Sequence, residues 1–278
     1  MGHYRKAIVI ALVSSVVMGG ASVALKSEDA GREPASKEWA TVNGDLGNTR
    51  YSTLDQINAR TVGKLAGAWT SDKFDTAGAG RAMPVVRNGR LFITAGSKIY
   101  AYDAKTGATV WSHQTDTAPA TASLNEYNRS VRGLPNREGV AVGEGLVFVG
   151  LTNSRVLALR EKTGEVAWDV FVGIEPARAG QGVSGAPVYA GGLVLVGTAG
   201  DTGFRGKVVA LDAQSGRKAW EWFAVAGPDD PGFKTWPKNS DSWKTGGGAI
   251  WLVGAADLDL GLAYFGTGNG VPQYAGDT

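Results

Sequence analysis

Cysteine is missing altogether from the 278 residues, and histidine occurs only as His3 and His113. Without thiols there is no disulfide framework, no thiolate metal centre and no lipidated N-terminal cysteine. With so little imidazole, a histidine-based hydrolase or a zinc site has almost no material, and His113 reads as a solvated strand end. No G-x-S-x-G elbow occurs, and "GFRGKVV" (203 to 209) lacks the earlier Gly and the Ser or Thr of a phosphate loop.

Long apolar runs are also scarce. One stretches from about Ala7 to Met18, behind Arg5 and Lys6 and ahead of the small-residue run "GGASVA" (19 to 24). It reads as an export signal over residues 1–24, leaving an exported mature chain of 25–278. An uncleaved membrane anchor is the alternative, disfavoured because the run is short and diluted by Ser and Gly. Loss of Arg5 and Lys6 lowers Lys+Arg from 28 to 26, against 26 Asp+Glu. A nearly neutral mature chain gives no electrostatic reason for a nucleic-acid partner.

What is plentiful is glycine, 41 residues, and tryptophan, 9. That much Gly argues against a helical bundle and for many tight turns. "AYDAKTGATVW" (101 to 111), "ALREKTGEVAW" (158 to 168) and "ALDAQSGRKAW" (210 to 220) share an apolar strand end, a polar turn, a Gly and a Trp four residues after it. Gly107, Gly164 and Gly216 lie 57 and 52 residues apart, the spacing of propeller blades with insertions and longer than a helical solenoid unit. Upstream of each is a hairpin of alternating apolar and polar residues. The turn Gly supplies a positive φ, and the Trp suits a wedge between blades whose indole N–H finds a carbonyl. The pattern predicts an all-β fold, a β-propeller of four-stranded blades with docking Trp111, Trp168 and Trp220 buried between blades, each near the end of its blade's last strand. A fourth unit begins at "GGGAIWLVGAADLDLGLAYFGTGN" (246 to 269), and Thr278 arrives before a fourth turn and Trp, so the propeller is expected to be truncated.

Chemistry is left to strand-end segments: "NREG" (136 to 139), "VSGAP" (183 to 187), "GTAGDTGFRG" (197 to 206), "GGGAIW" (246 to 251) and "FGTGN" (265 to 269). The three glycines of "FGTGNG" allow close approach of something to the backbone. Asp201 and Asn269 offer oxygens suited either to capping turns or to holding a hard cation such as Ca²⁺.

From "EWATVNGDLGNTRYSTLDQINARTVGKLAGAW" (38 to 69), through the three Trp turns, to "GGGAIWLVGAADLDLGLAYFGTGN", the chain resembles the pyrroloquinoline quinone (PQQ) dependent alcohol dehydrogenases, periplasmic eight-bladed propellers of bacteria. The resemblance implies that residues 25–278 form about four of eight blades. It implies Ca²⁺, or a lanthanide, held by Asn269 and by Asp201, an Asp where the family commonly has Glu. It further implies that Trp251 stacks on the quinone, Arg137 pairs with it, and the hydroxyls of Ser184 and Thr198 bond its carboxylates. Such a set suits a planar tricarboxylate. The implied reaction is oxidation of an alcohol or sugar hydroxyl by hydride transfer to the metal-bound quinone, with cytochrome c or ubiquinone as the periplasmic electron acceptor.

Three departures stand out. The family's adjacent cysteines are absent from "SVRGLPNREG" (130 to 139), leaving either Val131 or Arg132 to cover that quinone face or the face open. Arg81 in "GAGRAMP" stands where the family has Glu. No residue takes the part of the catalytic Asp, which the resemblance places in a later blade, beyond Thr278; the fragment alone is expected to be inactive. The alternatives are a non-enzymatic propeller scaffold for outer-membrane assembly, against which the missing lipoprotein Cys argues, and a degenerate quinone-binding relative.

Overall fold

The computed structural model describes residues 9–12, 37–72, 74, 81–115, 133–174, 181–198 and 204–270. After β1 (Val9–Leu12), the chain forms three antiparallel meanders of four strands, each in sequence order. The first holds β2 (Val85–Arg87), β3 (Arg90–Ala95), β4 (Lys98–Asp103) and β5 (Thr109–Gln114). The second holds β6 (Ala141–Gly143), β7 (Leu146–Gly150), β8 (Arg155–Arg160) and β9 (Val166–Phe171). The third holds β10 (Val188–Ala190), β11 (Leu193–Gly197), β12 (Lys207–Asp212) and β13 (Lys218–Phe223). β14 (Ala255–Asp257) and β15 (Leu262–Phe265) open a fourth blade, and β1 lines the far edge of β15 with Val9 opposite Phe265 and Leu12 opposite Leu262. That edge strand falls inside the segment read as a leader.

The middle strands read as apolar runs because both faces are covered: "LVFVG" of β7 is buried throughout. Each contact between neighbouring blades forms its own core. Phe92, Ile99 and Trp111 pack with Val147, Leu157 and Leu159. Phe148 and Trp168 pack with Val194, Val209 and Leu211, and Leu195 and Ala210 pack with Ile250 and Phe265.

The Trp repeat works as a series of interlocks. Trp111 Nε1 donates to the Glu161 carbonyl at 2.9 Å and Trp168 Nε1 to the Ala213 carbonyl at 2.9 Å, each in the next blade. Each acceptor lies three residues before the next turn glycine. Gly164 and Gly216 sit at φ of 73° and 69°, and a Cβ on either would come within 2.7 Å of the indole Cδ2 above it. Glycine is therefore needed twice, for a left-handed backbone and for the indole lying flat against it. A bulge helps aim each ring: Trp111, Trp168 and Trp220 lie opposite Ala101, Ala158 and Ala210, and the register shifts directly beyond.

Three expectations need correction. The docking Trp is the third residue of its strand, near the start rather than the end, because the turn glycine stands only two residues before the strand begins. Trp220 is only half-buried, and its indole N–H has no hydrogen-bond partner, since no described residue supplies a further turn for it. A member of the series missed by the repeat is Trp69, whose Nε1 donates to the Ala104 carbonyl at 3.1 Å and whose ring covers Gly107. His113 is likewise not a solvated strand end. It is half-buried, with Nδ1 3.0 Å from the Gly164 carbonyl, so Nδ1 carries the proton and burial pushes its pKa down.

Between β13 and β14 an insertion carries two 3₁₀ turns, Pro231–Thr235 and Ser242–Thr245. Arg205 fastens it to the third blade. Its guanidinium lies 4.1 Å from the centre of the Phe223 ring and 5.5 Å from that of Trp243, and its Nε donates to the Val225 carbonyl at 3.0 Å.

Candidate functional site

Radial repetition puts four side chains at one equivalent position. Arg81, Arg137, Ser184 and Trp251 each stand four residues before the first strand of their blade, which begins at Val85, Ala141, Val188 and Ala255 respectively. The segments that follow them converge. Met83 N–H donates to the Glu138 carbonyl at 3.0 Å, the Ser184 hydroxyl donates to the Trp251 carbonyl at 3.3 Å, and the backbone N–H groups of Ala186 and Val253 face the Glu138 carboxylate. The entries of all four blades thus meet at one end of the array. The four side chains range from half-buried to exposed there, with Trp251 38% accessible.

Asn136 fixes how the second blade enters. Its Oδ1 accepts the N–H groups of Glu138 and Gly139, both at 2.9 Å, its Nδ2 donates to the Gly139 carbonyl at 2.8 Å, and it is almost fully buried. This turn sends neighbouring side chains opposite ways: Arg137 is exposed and Glu138 is buried. Glu138 Oε1 lies 3.8 Å from Arg81 Nη2, and Oε2 has no hydrogen-bond partner. Burial raises the pKa of Glu138, and the Arg81 charge and the two backbone N–H groups oppose that rise.

"FGTGNG" proves to serve one close approach. A Cβ on Gly268 would stand 3.2 Å from the Ala249 carbonyl oxygen and 3.3 Å from Trp251 Nε1, whereas Gly266 and Gly270 have nothing within 4 Å. Gly268 N–H donates to the Ala249 carbonyl at 2.7 Å, and the Asn269 carbonyl accepts the Gly248 N–H at 3.0 Å. Asn269, exposed, is therefore the residue next to the one that packs on the Trp251 indole.

Ser184, Trp251 and Asn269 are brought together, and Arg137 takes the equivalent place on the second blade. Thr198 is different: it is buried, and its hydroxyl accepts the Lys207 N–H at 3.2 Å and faces the Lys207 carbonyl at 3.4 Å, so the strand end already uses it. Asp201, Val131 and Arg132 lie outside the described residues. Among the described residues no three His, Asp or Glu side chains gather as a metal cluster. Glu138 and Asn136 were missed by sequence reading. The signal available was positional, since counting back from each first strand aligns Arg81 with Arg137 and draws attention to the acid beside the latter.

The surroundings fit a flat polyanion with a cation. An indole has one edge against a Cβ-free backbone, two arginines stand at equivalent places, and a buried carboxylate oxygen is unpaired. The family model described as "Glucose/ethanol/alcohol dehydrogenase, beta-propeller domain", for PQQ, matches residues 39–278. The chain belongs to this PQQ propeller family. It is 34% identical over 247 residues to the quinohemoprotein alcohol dehydrogenase of Comamonas testosteroni, covering 84% of this chain and 34% of that protein. Against a solved structure of the Comamonas enzyme the TM-score is 0.73 at 32% identity, over 85% of this chain and 36% of the other. Against a europium-containing methanol dehydrogenase the TM-score is 0.68 at 29% identity, over 86% and 43%. The chain thus spans about a third to under half of the length of these relatives. Membership in the PQQ family accords with the all-β partial propeller described above.

Proposed function

We propose that this chain is the N-terminal part of an exported PQQ-dependent dehydrogenase that oxidises an alcohol or sugar hydroxyl in the periplasm by hydride transfer. The observation that carries the reading is the placement of Trp251 at the entry of the fourth blade, with Gly268 against its indole and Asn269 next in sequence. The quinone, when bound, supplies the two-electron acceptor, and its cation supplies Lewis acidity. The chain's own part is holding and orienting. The Trp251 indole offers a stacking face, Ser184 fixes the segment behind it through the Trp251 carbonyl, and Asn269 offers an amide oxygen to Ca²⁺ or a lanthanide, together with Asp201. A cytochrome c or ubiquinone takes the electrons onward. The proton-accepting carboxylate of the reaction belongs to a later blade, so binding and turnover separate in this chain.

Equilibrium dialysis of the 278-residue chain against PQQ with Ca²⁺, and in parallel with La³⁺, tests the reading. Retention of quinone that needs the metal and is lost in Trp251→Ala is the expected result, with no oxidation of ethanol or glucose through an artificial acceptor. No retention with either metal removes the cofactor assignment, and turnover by this chain removes the claim that the base lies elsewhere.

A further inference from the structure

The four equivalent entry positions hold two arginines, and their surroundings differ. No hydrogen bond or ion pair holds Arg137 among the described residues, and the Asn136 turn sends it to solvent. Arg81 stands over a buried carboxylate: its side chain is 63% exposed, that of Glu138 8%, and the gap between Nη2 and Oε1 is 3.8 Å. A gap of that size orients a guanidinium without occupying its donors, leaving most of the fork open to solvent. Glu138 is fixed in turn. The N–H groups of Ala186 and Val253, from the third and fourth blade entries, face its carboxylate, and Val253 lies two residues beyond Trp251.

We propose, resting on the PQQ reading above, that Arg81 and not Arg137 is the guanidinium that receives a carboxylate of the quinone, and that Glu138 is the positioning residue that holds it beside Trp251. A pre-oriented donor loses less freedom on binding than a solvated one, so the arginine tethered to the buried acid contributes more to affinity. The pair also keeps the site's polarity correct. An uncompensated Glu138 next to an anionic ligand would repel it, and the Arg81 charge cancels that repulsion. The burial that raises the Glu138 pKa works in the same direction, because a protonated carboxyl repels nothing.

The experiment is equilibrium dialysis of PQQ at fixed Ca²⁺ against the intact chain and four variants. Arg81→Ala is expected to weaken retention about tenfold, the worth of one charge-assisted hydrogen bond. Arg81→Lys, which keeps the charge and loses the fork, should lie between, and should report even if the alanine variant folds poorly. Arg137→Ala should stay within about twofold of the parent, and Glu138→Gln should weaken binding less than Arg81→Ala while making it less dependent on pH. A loss in Arg137→Ala with none in Arg81→Ala or Arg81→Lys overturns the assignment, as do equal losses at both arginines. If the parent chain retains no quinone, the PQQ reading itself has failed, an outcome distinct from retention that ignores Arg81.

Discussion

Replacing Gly164 with Ala tests the interlock, because it strikes two physical requirements that can be pulled apart. Gly164 holds a φ of 73°, and a new Cβ would lie 2.7 Å from both Cδ2 and Cε3 of Trp111. The left-handed backbone costs about 1–2 kcal/mol for a residue with a Cβ. Forcing the methyl into the indole adds about 1–3 kcal/mol of overpacking. Gly164→Ala alone should therefore destabilise by about 2–5 kcal/mol, and Trp111→Ala alone by about 3–5 kcal/mol through the cavity it leaves. In the double variant the indole is gone, so only the backbone part of the glycine change remains. The pair should fall short of the sum by about 1–3 kcal/mol, the overpacking share. Urea unfolding of the parent, both single variants and the double variant, followed by far-ultraviolet circular dichroism, measures this. Additivity within about 0.5 kcal/mol would refute the claim that the turn glycine exists to admit the ring.

Trp220→Ala should cost less than Trp168→Ala, because Trp220 is half-buried with an unpartnered N–H while Trp168 bonds the Ala213 carbonyl; equal losses in the same urea experiment contradict this. Burial depresses the His113 pKa, so its contribution is complete above the unfolded value of about 6.5 and is lost as pH falls through the lower folded value. Melting temperatures between about pH 5 and 8 should fall on the acid side in the parent and less steeply in His113→Gln. Burial raises the Glu138 pKa, so its contribution is complete below about 4.3 and is lost as pH rises through the folded value. Glu138→Gln should then melt at or above the parent at neutral pH, and a clearly lower melting temperature would show that the ionised carboxylate is itself a net stabiliser. Lys207 is buried, bonding the Gly173 carbonyl at 3.0 Å and Glu221 at 2.8 Å, and Lys207→Ala should cost about 3 kcal/mol, with the partial exposure of Glu221 keeping the loss at the low end for a buried pair.

The sequence by itself determined the blade. The Gly-to-Trp spacing requires a tight left-handed turn followed by a strand that carries a large flat ring, and the alternation upstream requires a hairpin, all within a dozen neighbouring residues; how early in the strand the ring falls came only with the structure. The segments that carry Ser184, Trp251 and Asn269 stand out locally as short Gly-rich entries or strand ends, whereas the roles expected of those residues came from the family resemblance. Tertiary structure alone decided which neighbours these residues meet. Nothing local says that Trp69 covers Gly107, that His113 reaches the Gly164 carbonyl, or that the Thr198 hydroxyl is already used by Lys207, because each contact joins segments brought together only when strands pair and blades stack. The sharpest case is Arg137 and Glu138. The family resemblance pointed to the arginine, but direction in a turn is set by which side chain its hydrogen bonds leave inside. Asn136 turns Arg137 to water and Glu138 inward, and only there does the acid meet Arg81 from the preceding blade, 57 residues earlier in the chain.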